Sequence, residues 1–162
     1  MLTFATDEGR FNFRTVGVCI EDGYVLAQRF EGSDVWVLPG GRVEMGEDTA
    51  TGLLREMREE LPITSPVAIT RLLWVVENFF TPESDIRYHE LAFYYLMALP
   101  EGCALQRKDA VTLGEDFGVS FELRWLPLDT LASVLLVPLF LRASLLAPPS
   151  APEHLVCHEG QR

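Results

Sequence analysis

Five glutamates are concentrated within residues 38–63 of this chain, and their spacing is suited to binding a divalent cation. They are Glu44, Glu47, Glu56, Glu59 and Glu60. Like charges three or four residues apart on a helix cost roughly 0.2–0.5 kcal/mol per pair, so the arrangement requires a compensating interaction. Hard cations such as Mg²⁺ and Mn²⁺ prefer carboxylate, carbonyl and water oxygens, and Mg²⁺ is commonly shared between a few carboxylates and the phosphates of a substrate.

A pair of glycines in front of these glutamates fits the same chemistry. Gly40 and Gly41 allow the backbone to turn sharply and to approach a ligand closely, so a carbonyl oxygen of this turn can join the carboxylates. The alternative is that Glu59 and Glu60 only form a solvated helix face, which is the commoner role of two adjacent glutamates. The complete spacing decides between the two interpretations.

That spacing forms a motif with few chance matches. Five residues separate Gly41 from Glu47, seven separate Glu47 from the pair Arg55-Glu56, and two separate Glu56 from the pair Glu59-Glu60. The motif resembles the signature box of the Nudix hydrolases, in which Met57 and Ile63 occupy the two apolar positions. One position departs from the box, because Pro62 stands where the family has glycine.

The resemblance implies metal-assisted hydrolysis of a diphosphate bond. In that mechanism Glu56, Glu59 and Glu60 hold one or more Mg²⁺ ions together with the Gly41 carbonyl, and Mn²⁺ is a substitute. Glu56 or Glu59 orients or deprotonates the attacking water. The motif also predicts that Arg55 holds Glu59 in position from one turn away. Glu47 ties the loop to the helix or adds a metal ligand through water.

The glutamates require a helix to position them. From Thr49 onward apolar residues recur at helical intervals and predict one buried stripe, with the glutamates at 56, 59 and 60 on a flank outside it. The stripe consists of Ala50, Leu53, Leu54, Met57 and Leu61. Proline disfavours a helical conformation in the residue before it, so Pro62 predicts that the helix ends immediately after Glu60.

Candidate substrate contacts lie outside the box. The segments 77–80 and 88–95 resemble a subgroup of bacterial Nudix proteins, and Glu77, Phe79, His89 and Glu90 are therefore candidates for substrate binding. The alternative for His89 and Glu90 is that they are surface residues at a strand end. Aromatic side chains of these strands can stack on a nucleobase, although aromatic residues in strands more often belong to the core. They are Trp74, Phe79, Phe80 and Tyr88.

An acidic pair in the later part of the chain is a further candidate. Glu115 and Asp116 lie within a polar, glycine-containing stretch at 100–120, which we expect to be a long irregular loop, and such loops are often functional. Either carboxylate is a plausible proton acceptor for the attacking water. The alternative is an ordinary solvated pair.

Composition limits the classes of function. The 162 residues include 24 acidic and 13 basic side chains, which gives a net charge of −11. This charge argues against non-specific binding to nucleic acid or to anionic membranes. Three cysteines without metal-ligand spacing, Cys19, Cys103 and Cys157, and the lack of a signal-like N-terminus favour a cytoplasmic protein. The apolar run at 131–141 is too short to span a bilayer. We expect a small phosphorylated partner, and homodimerisation is left open.

The remaining pattern predicts one α/β domain over residues 1–162. Hydrophobic runs predict strands at 11–20, 24–29, 34–38, 69–80, 87–99, 121–126 and 154–158, with a turn at 21–23 and a loop at 81–85. Helices are predicted at 128–134 and 139–146 in addition to the helix of the box, and 147–152 is a proline-rich spacer. The strand at 87–99 is apolar on both faces, which indicates a sheet covered on both sides. We therefore expect an α/β/α sandwich with a mixed β-sheet between helices, as the Nudix resemblance also implies.

Two functional hypotheses follow. The first is a pyrophosphohydrolase that acts on a nucleoside diphosphate linked to another group. Nucleoside or deoxynucleoside triphosphates are its favoured substrates, and ADP-ribose or nucleotide sugars are second. The second hypothesis is a nucleotide-binding module that keeps the fold without turnover. The complete set of carboxylates favours the enzyme, because a binding module does not need them.

Overall fold

The computed structural model describes residues 1–82, 85–116 and 118–161, and its strands outnumber its helices. In chain order the elements are β1 (Thr3–Thr6), β2 (Gly9–Val18), β3 (Ile20–Glu21), β4 (Tyr24–Phe30), β5 (Gly40–Arg42), α1 (Thr49–Glu60), β6 (Ala68–Thr81), β7 (Tyr88–Ala98), β8 (Thr112–Asp116), β9 (Val119–Pro127), α2 (Leu141–Ser144) and β10 (Glu153–Gln161). Two 3₁₀ segments lie at Ala104–Gln106 and Leu128–Ser133.

The strands form two sheets. The larger sheet is mixed, with the order β1-β2-β7-β6-β10 and with β5 paired to β2. In it, β2 runs parallel to β7 and β10 runs parallel to β6, whereas the other pairs are antiparallel. The smaller sheet is antiparallel and has the order β3-β4-β9-β8. The predicted mixed sheet flanked by helices is confirmed, and the second sheet is an addition that the sequence pattern did not predict.

Helix α1 has the boundaries that its sequence predicts. Asp48 caps its N-terminus, because its carboxylate accepts hydrogen bonds from the Thr51 backbone N–H at 2.9 Å and from the Thr51 hydroxyl at 2.8 Å. Leu53 and Met57 are fully buried against the larger sheet and the smaller one. The helix stops at Glu60, and Leu61 is extended with φ −94° and ψ 137°, as the following proline requires.

The larger sheet is covered on both faces. One face carries Thr15 and Tyr95, which hydrogen-bond to Thr49 at the start of α1 at 2.8 and 2.6 Å. The opposite face carries Trp74 and Tyr94, which pack in a second apolar core with side chains from residues 126–145. Side chains on successive residues of β6 and β7 therefore point into different environments, and this alternation decides which of them can meet the site.

Several predicted elements are wrong in extent or type. Residues 34–38 form no continuous strand and only make isolated bridges at Trp36 and Val37. The stretch 100–120 is not an irregular loop, since it contains Ala104–Gln106 and the strand β8, which pairs with β9. The helix predicted at 139–146 is reduced to the four residues of α2, and residues 128–134 form a 3₁₀ segment instead of an α-helix. The sequence pattern of a short apolar run near a proline does not show whether the segment forms an α-helix, a 3₁₀ segment or a strand.

The predicted hairpin turn is confirmed. The turn at 21–23 is a tight hairpin in which Asp22 and Gly23 have φ values of 51° and 80°. Cys19, Cys103 and Cys157 are free thiols. In the described parts of the chain, no helix has the length and apolar character needed to cross a bilayer. The loop predicted at 81–85 lies partly outside the described residues, because positions 83 and 84 are not among them.

Candidate active site

Arg55 is the centre of the ion pairs around the box. Its guanidinium donates to the Glu47 carboxylate at 2.7 Å, to Glu56 at 2.8 Å and to Glu59 at 3.2 Å. It also donates to the carbonyl of Arg42 at 3.0 Å, which fixes the glycine turn against α1. The predicted contacts of Arg55 with Glu59, and of Glu47 with the loop, are both present, since Glu47 accepts from the Glu44 backbone N–H at 2.7 Å.

These contacts change the acidity of the groups involved. The hydrogen bond from Arg55 lowers the pKa of Glu47 below its ordinary value, and Glu47 in turn raises the pKa of Arg55. Glu56 behaves differently, because burial raises its pKa although the nearby Arg55 acts in the opposite direction. Arg55 therefore holds these carboxylates through hydrogen bonds and favours the charged form of Glu47, while Glu56 is more buried.

The glycine turn brings the backbone directly against Glu56. A Cβ atom at Gly41 would overlap the carboxyl group of Glu56, and one at Gly40 would overlap the Thr15 carbonyl. Gly40 also has φ 151°, a backbone conformation that residues other than glycine rarely adopt. Both glycines are therefore required by close approach, and the turn brings the Gly41 backbone next to a carboxylate that we predict to bind metal.

Glu60 corrects the prediction that all three helix glutamates lie outside the buried stripe. It is only 8% exposed, and it accepts a hydrogen bond from the Gly40 backbone N–H at 3.3 Å. Burial, followed by the charges of Glu56 and Asp116, raises the pKa of Glu60 to about 8. Glu59 remains on the outside with a side chain that is 59% exposed. The helix therefore presents one buried and one solvated carboxylate at its C-terminal end.

A cavity of about 310 Å³ contains the carboxylates that approach each other. Its wall includes the glycine turn and three acidic side chains, Glu56, Glu60 and Asp116. Asp116 comes from the end of β8, so the smaller sheet contributes to the site. Within residues 1–82, 85–116 and 118–161, no three acidic, histidine or cysteine side chains are grouped closely enough to form a metal site.

The chemistry of the donor set nevertheless suits a hard divalent cation. Three carboxylates face one cavity, and the charge of Glu56, added to burial, raises the pKa of Glu60. A cation between such groups would remove that repulsion and would stabilise their charged forms. The residues present therefore fit a divalent metal ion, with the Gly41 backbone close to the same carboxylate.

The predicted substrate contacts lie elsewhere. Glu77, Phe79 and His89 are on the α1 side of the larger sheet, where Phe79 stacks on His89 with ring centroids 4.3 Å apart. The Glu77 carboxylate is 2.9 Å from the ring nitrogen of His154. Phe79 and His89 line a cavity that does not include Glu56 or Glu60. The structure does not bring these three residues to the carboxylate cavity, and their role in substrate binding stays a prediction.

Two residues of the carboxylate cavity were missed by the sequence analysis. Arg14 and Gln28 come from β2 and β4 and line the cavity wall. Arg14 donates to the Gly40 carbonyl at 3.1 Å, and the carboxylates of Glu90, Glu60 and Glu56 raise its pKa although burial opposes its charge. An arginine among the apolar residues of β2 was the available signal, since a charge inside a strand usually has a specific partner.

Comparisons with known proteins agree with the motif. A family model described as the NUDIX domain matches residues 11–144. A MutT-like protein of Streptomyces ambofaciens is 37% identical over 75 residues, which cover 46% of this chain and 47% of that protein. The match thus spans about half the length of this relative. Two crystal structures share the fold.

The first is an ADP-ribose pyrophosphatase of Streptococcus suis, with a TM-score of 0.56 and 14% identity over 90% of this chain and 98% of that one. The second is a MutT NUDIX hydrolase of Burkholderia pseudomallei, with a TM-score of 0.53 and 24% identity over 74% of this chain and 84% of that one. At these identities the likeness shows a common fold and leaves the substrate open.

Proposed function

This chain belongs to the NUDIX domain family, and from that premise we propose that it is a divalent-metal-dependent hydrolase of diphosphate bonds. The observation that carries the proposal is the cavity in which Glu56, Glu60 and Asp116 meet the glycine turn. Such a cavity is unfavourable for the protein alone, because buried carboxylates repel each other. It becomes favourable when a cation and an anionic substrate enter together.

The roles of the residues follow from their positions. Glu56, Glu59 and Glu60 would hold the cation, commonly Mg²⁺ with Mn²⁺ as a substitute, together with the Gly41 carbonyl and with Glu47 through water. When bound, the cation neutralises phosphate charge and makes a water molecule more acidic. Arg55 keeps the carboxylates of Glu47, Glu56 and Glu59 in fixed orientations through the hydrogen bonds described above.

Proton acceptance requires a carboxylate that reaches the water. Glu56 or Glu59 is proposed for this role, and Asp116 is an alternative because it faces Glu60 across the same cavity. Its neighbour Glu115 is exposed and does not line the cavity. Arg14 adds a fixed positive charge to the wall, where it can contact a phosphate oxygen of the substrate.

The proposed substrates are nucleoside or deoxynucleoside triphosphates, with ADP-ribose and nucleotide sugars second. Their common feature is a diphosphate linked to a nucleoside, which the carboxylates and Arg14 would bind at its charged end. The relative from Streptomyces ambofaciens is described as MutT-like, and it supports no choice between these compounds because the match covers about half of that protein.

The test is a panel of nucleoside triphosphates, ADP-ribose, nucleotide sugars and dinucleoside polyphosphates, assayed with Mg²⁺, with Mn²⁺ and with a chelator. We expect metal-dependent release of pyrophosphate or monophosphate from at least one nucleotide. Turnover that persists in the chelator would contradict the metal-dependent mechanism. Binding of nucleotides without any product would instead identify a binding module, and a preference for an inositol or isoprenoid diphosphate would contradict the nucleotide assignment alone.

A further inference from the structure

A second cavity adjoins the carboxylate cavity and contains an unpaired polar atom. Its volume is about 210 Å³, and it shares Arg14 and Val37 with the carboxylate cavity. Small-molecule sites typically span roughly 300–1,000 Å³, so the two cavities together have the size of one site. The second cavity lies on the face of β6 and β7 opposite to Phe79 and His89.

Asn78 and Glu90 are the polar centre of this second cavity. They are 2% and 6% exposed, and they are directly opposite each other on β6 and β7. The Cβ atoms of such a pair are roughly 4.5–5.5 Å apart, so the amide and the carboxylate are neighbouring hydrogen-bond acceptors. The Oδ1 atom of Asn78 is buried and has no partner among the described residues. An unpaired buried acceptor costs roughly 1–3 kcal/mol, which a ligand N–H would recover.

The rest of the wall is aromatic and apolar. Phe80 and Tyr94 contribute rings, and Val137 and Pro138 close the cavity from the segment before α2. Apolar walls with a few polar groups at fixed positions are typical of sites for small ligands. The combination of rings with two acceptors favours a flat heterocycle that carries N–H donors at its edge.

Arg14 joins the second cavity to the carboxylate cavity. Its Nη1 atom is 3.7 Å from the Glu90 carboxylate, and its Nη2 atom donates to the Gly40 carbonyl. The Gly40 N–H donates to Glu60, so a continuous set of contacts leads from Glu90 to the carboxylate of α1. The Nε atom of Arg14 has no hydrogen-bond partner among the described residues. A ligand that extends from one cavity to the other would pass the positive charge of Arg14. That charge favours a ligand that carries phosphate groups.

We propose that the second cavity binds the nucleobase of the substrate and selects bases that carry an exocyclic amino group. The inference rests on the proposed function, because the base belongs to the nucleotide whose diphosphate is cleaved. Asn78 and Glu90 accept the N–H groups of the amino-bearing edge, while Phe80 and Tyr94 contact the ring. A carbonyl in place of the amino group points its lone pairs at the Glu90 carboxylate, and a hydrogen atom in its place leaves an acceptor unpaired.

The test compares nucleotides that differ in this one group. GTP and ITP differ only in the 2-amino group, which is a hydrogen atom in ITP, and CTP carries a 4-amino group where UTP carries a carbonyl. We expect kcat/KM to be about tenfold or more higher for GTP than for ITP and for CTP than for UTP, since loss of a partner for a buried acceptor is costly. This comparison needs no variant and does not depend on the folding of one.

Variants then assign the preference to named side chains. Glu90→Gln replaces a carboxylate, which only accepts hydrogen bonds, with an amide of the same shape that also donates them. We expect the ratio of GTP to ITP turnover to fall toward one. Asn78→Leu removes the second acceptor and has the same expected direction. Glu122→Gln is the matched control, because Glu122 is also a strand carboxylate paired with arginine and lines neither cavity. It should keep the wild-type ratio.

The outcomes separate this inference from the proposed function. Equal kcat/KM within both nucleotide pairs would overturn the inference and leave the hydrolase proposal intact. If no diphosphate is hydrolysed, calorimetric titration of the same protein with GMP and IMP decides. A preference for GMP of about tenfold would support the base site while the hydrolase proposal fails, and equal or undetectable binding would overturn the inference.

Discussion

Glu60 shows, at the level of a single residue, that a motif predicts the chemistry of a side chain better than it predicts the burial of that side chain. The spacing of the box predicts a metal-binding carboxylate at this position, but helical periodicity places it outside the buried stripe. In the structure it is buried because the Gly40 N–H and the cavity wall cover it. That contact joins residues twenty positions apart, and local periodicity contains no information about it. The contact of Arg55 with Glu59 was predictable, because it joins residues one turn apart on the same helix.

The first prediction concerns the carboxylates of the cavity. Glu56→Gln or Glu60→Gln should reduce metal-dependent turnover by about a hundredfold or more, because a cation contributes several kcal/mol of charge stabilisation to the transition state. The stability of the metal-free protein should be unchanged or slightly higher, since burial raises the pKa of both carboxyl groups and a glutamine of similar shape has no charge to bury. Steady-state assays with Mg²⁺ and thermal unfolding with a chelator measure the two effects.

Glu122→Gln is the control for turnover, because it removes a carboxylate outside the cavity. Full turnover of either cavity variant with Mg²⁺ would show that the site is assigned wrongly. A large loss of stability would show that the carboxylate has a structural role.

At the scale of elements, the sequence predicted α1 to its last residue and misjudged the stretch 100–120. Helix α1 has an N-cap, a clear apolar period and a proline that ends it, and all three signals are local. Strand β8 has none of these signals, since its alternating exposure depends on pairing with β9. Asp116 reaches the site only through that pairing. The acidic pair was recognisable in the sequence, whereas the strand that positions one member of it was not.

The second prediction concerns Pro62. The proline holds Leu61 in an extended conformation immediately after Glu60, and glycine at this position would allow the helix to close with a left-handed residue. Pro62→Gly should therefore change metal affinity or kcat modestly, within about tenfold, by shifting Glu59 and Glu60 by a fraction of a turn. Kinetic constants and Mg²⁺ titrations of the two proteins measure the change. Identical constants would mean that the shorter helix end has no influence on the site.

The third prediction concerns the smaller sheet, where Glu122 joins β9 to β4. Its carboxylate accepts hydrogen bonds from Arg29 at 2.8 Å and from Arg124 at 2.9 Å. Partial burial acts against the charged form, but the two arginines outweigh it and lower the pKa of Glu122. Because the pKa of Glu122 is lower in the folded state, its ionised carboxylate stabilises the folded protein at pH values above the unfolded pKa of about 4.5. This stabilisation is lost as the pH falls through the folded-state pKa of Glu122.

Glu122→Gln should accordingly lower the free energy of unfolding by about 1 kcal/mol or less at pH 7, because the arginines are partly exposed to solvent. The difference from wild type should shrink toward pH 3, where the wild-type carboxylate is protonated. Urea unfolding at pH 7, 5 and 3 measures it. A difference that stays constant over this range would show that the ion pairs contribute nothing through charge.

At the scale of the whole molecule, the net charge of −11 and the carboxylate cavity have a common consequence. Both disfavour the approach of a polyphosphate and both favour the binding of cations, so metal and substrate should bind in a coupled manner. Composition alone predicted this coupling, since it requires only an excess of acidic groups. The location of the cavity between the larger sheet, α1 and the end of β8 required the tertiary structure.

The last prediction follows from this coupling and needs no substrate. A ligand that binds only the folded protein adds about 2.7 kcal/mol of stability when its concentration is about 100 times its Kd. For a chain of this length, that energy raises Tm by about 5–10 °C. We expect Mg²⁺ or Mn²⁺ to raise the Tm of the wild-type protein in this concentration-dependent way, whereas the Tm of Glu60→Gln should respond only at much higher concentrations.

Glu122→Gln should respond as wild type does, because its missing charge lies outside the cavity. Differential scanning calorimetry against metal concentration, at constant ionic strength set with NaCl, measures the three curves. Equal metal-induced shifts for wild type and Glu60→Gln would place the cation site away from the C-terminal end of α1.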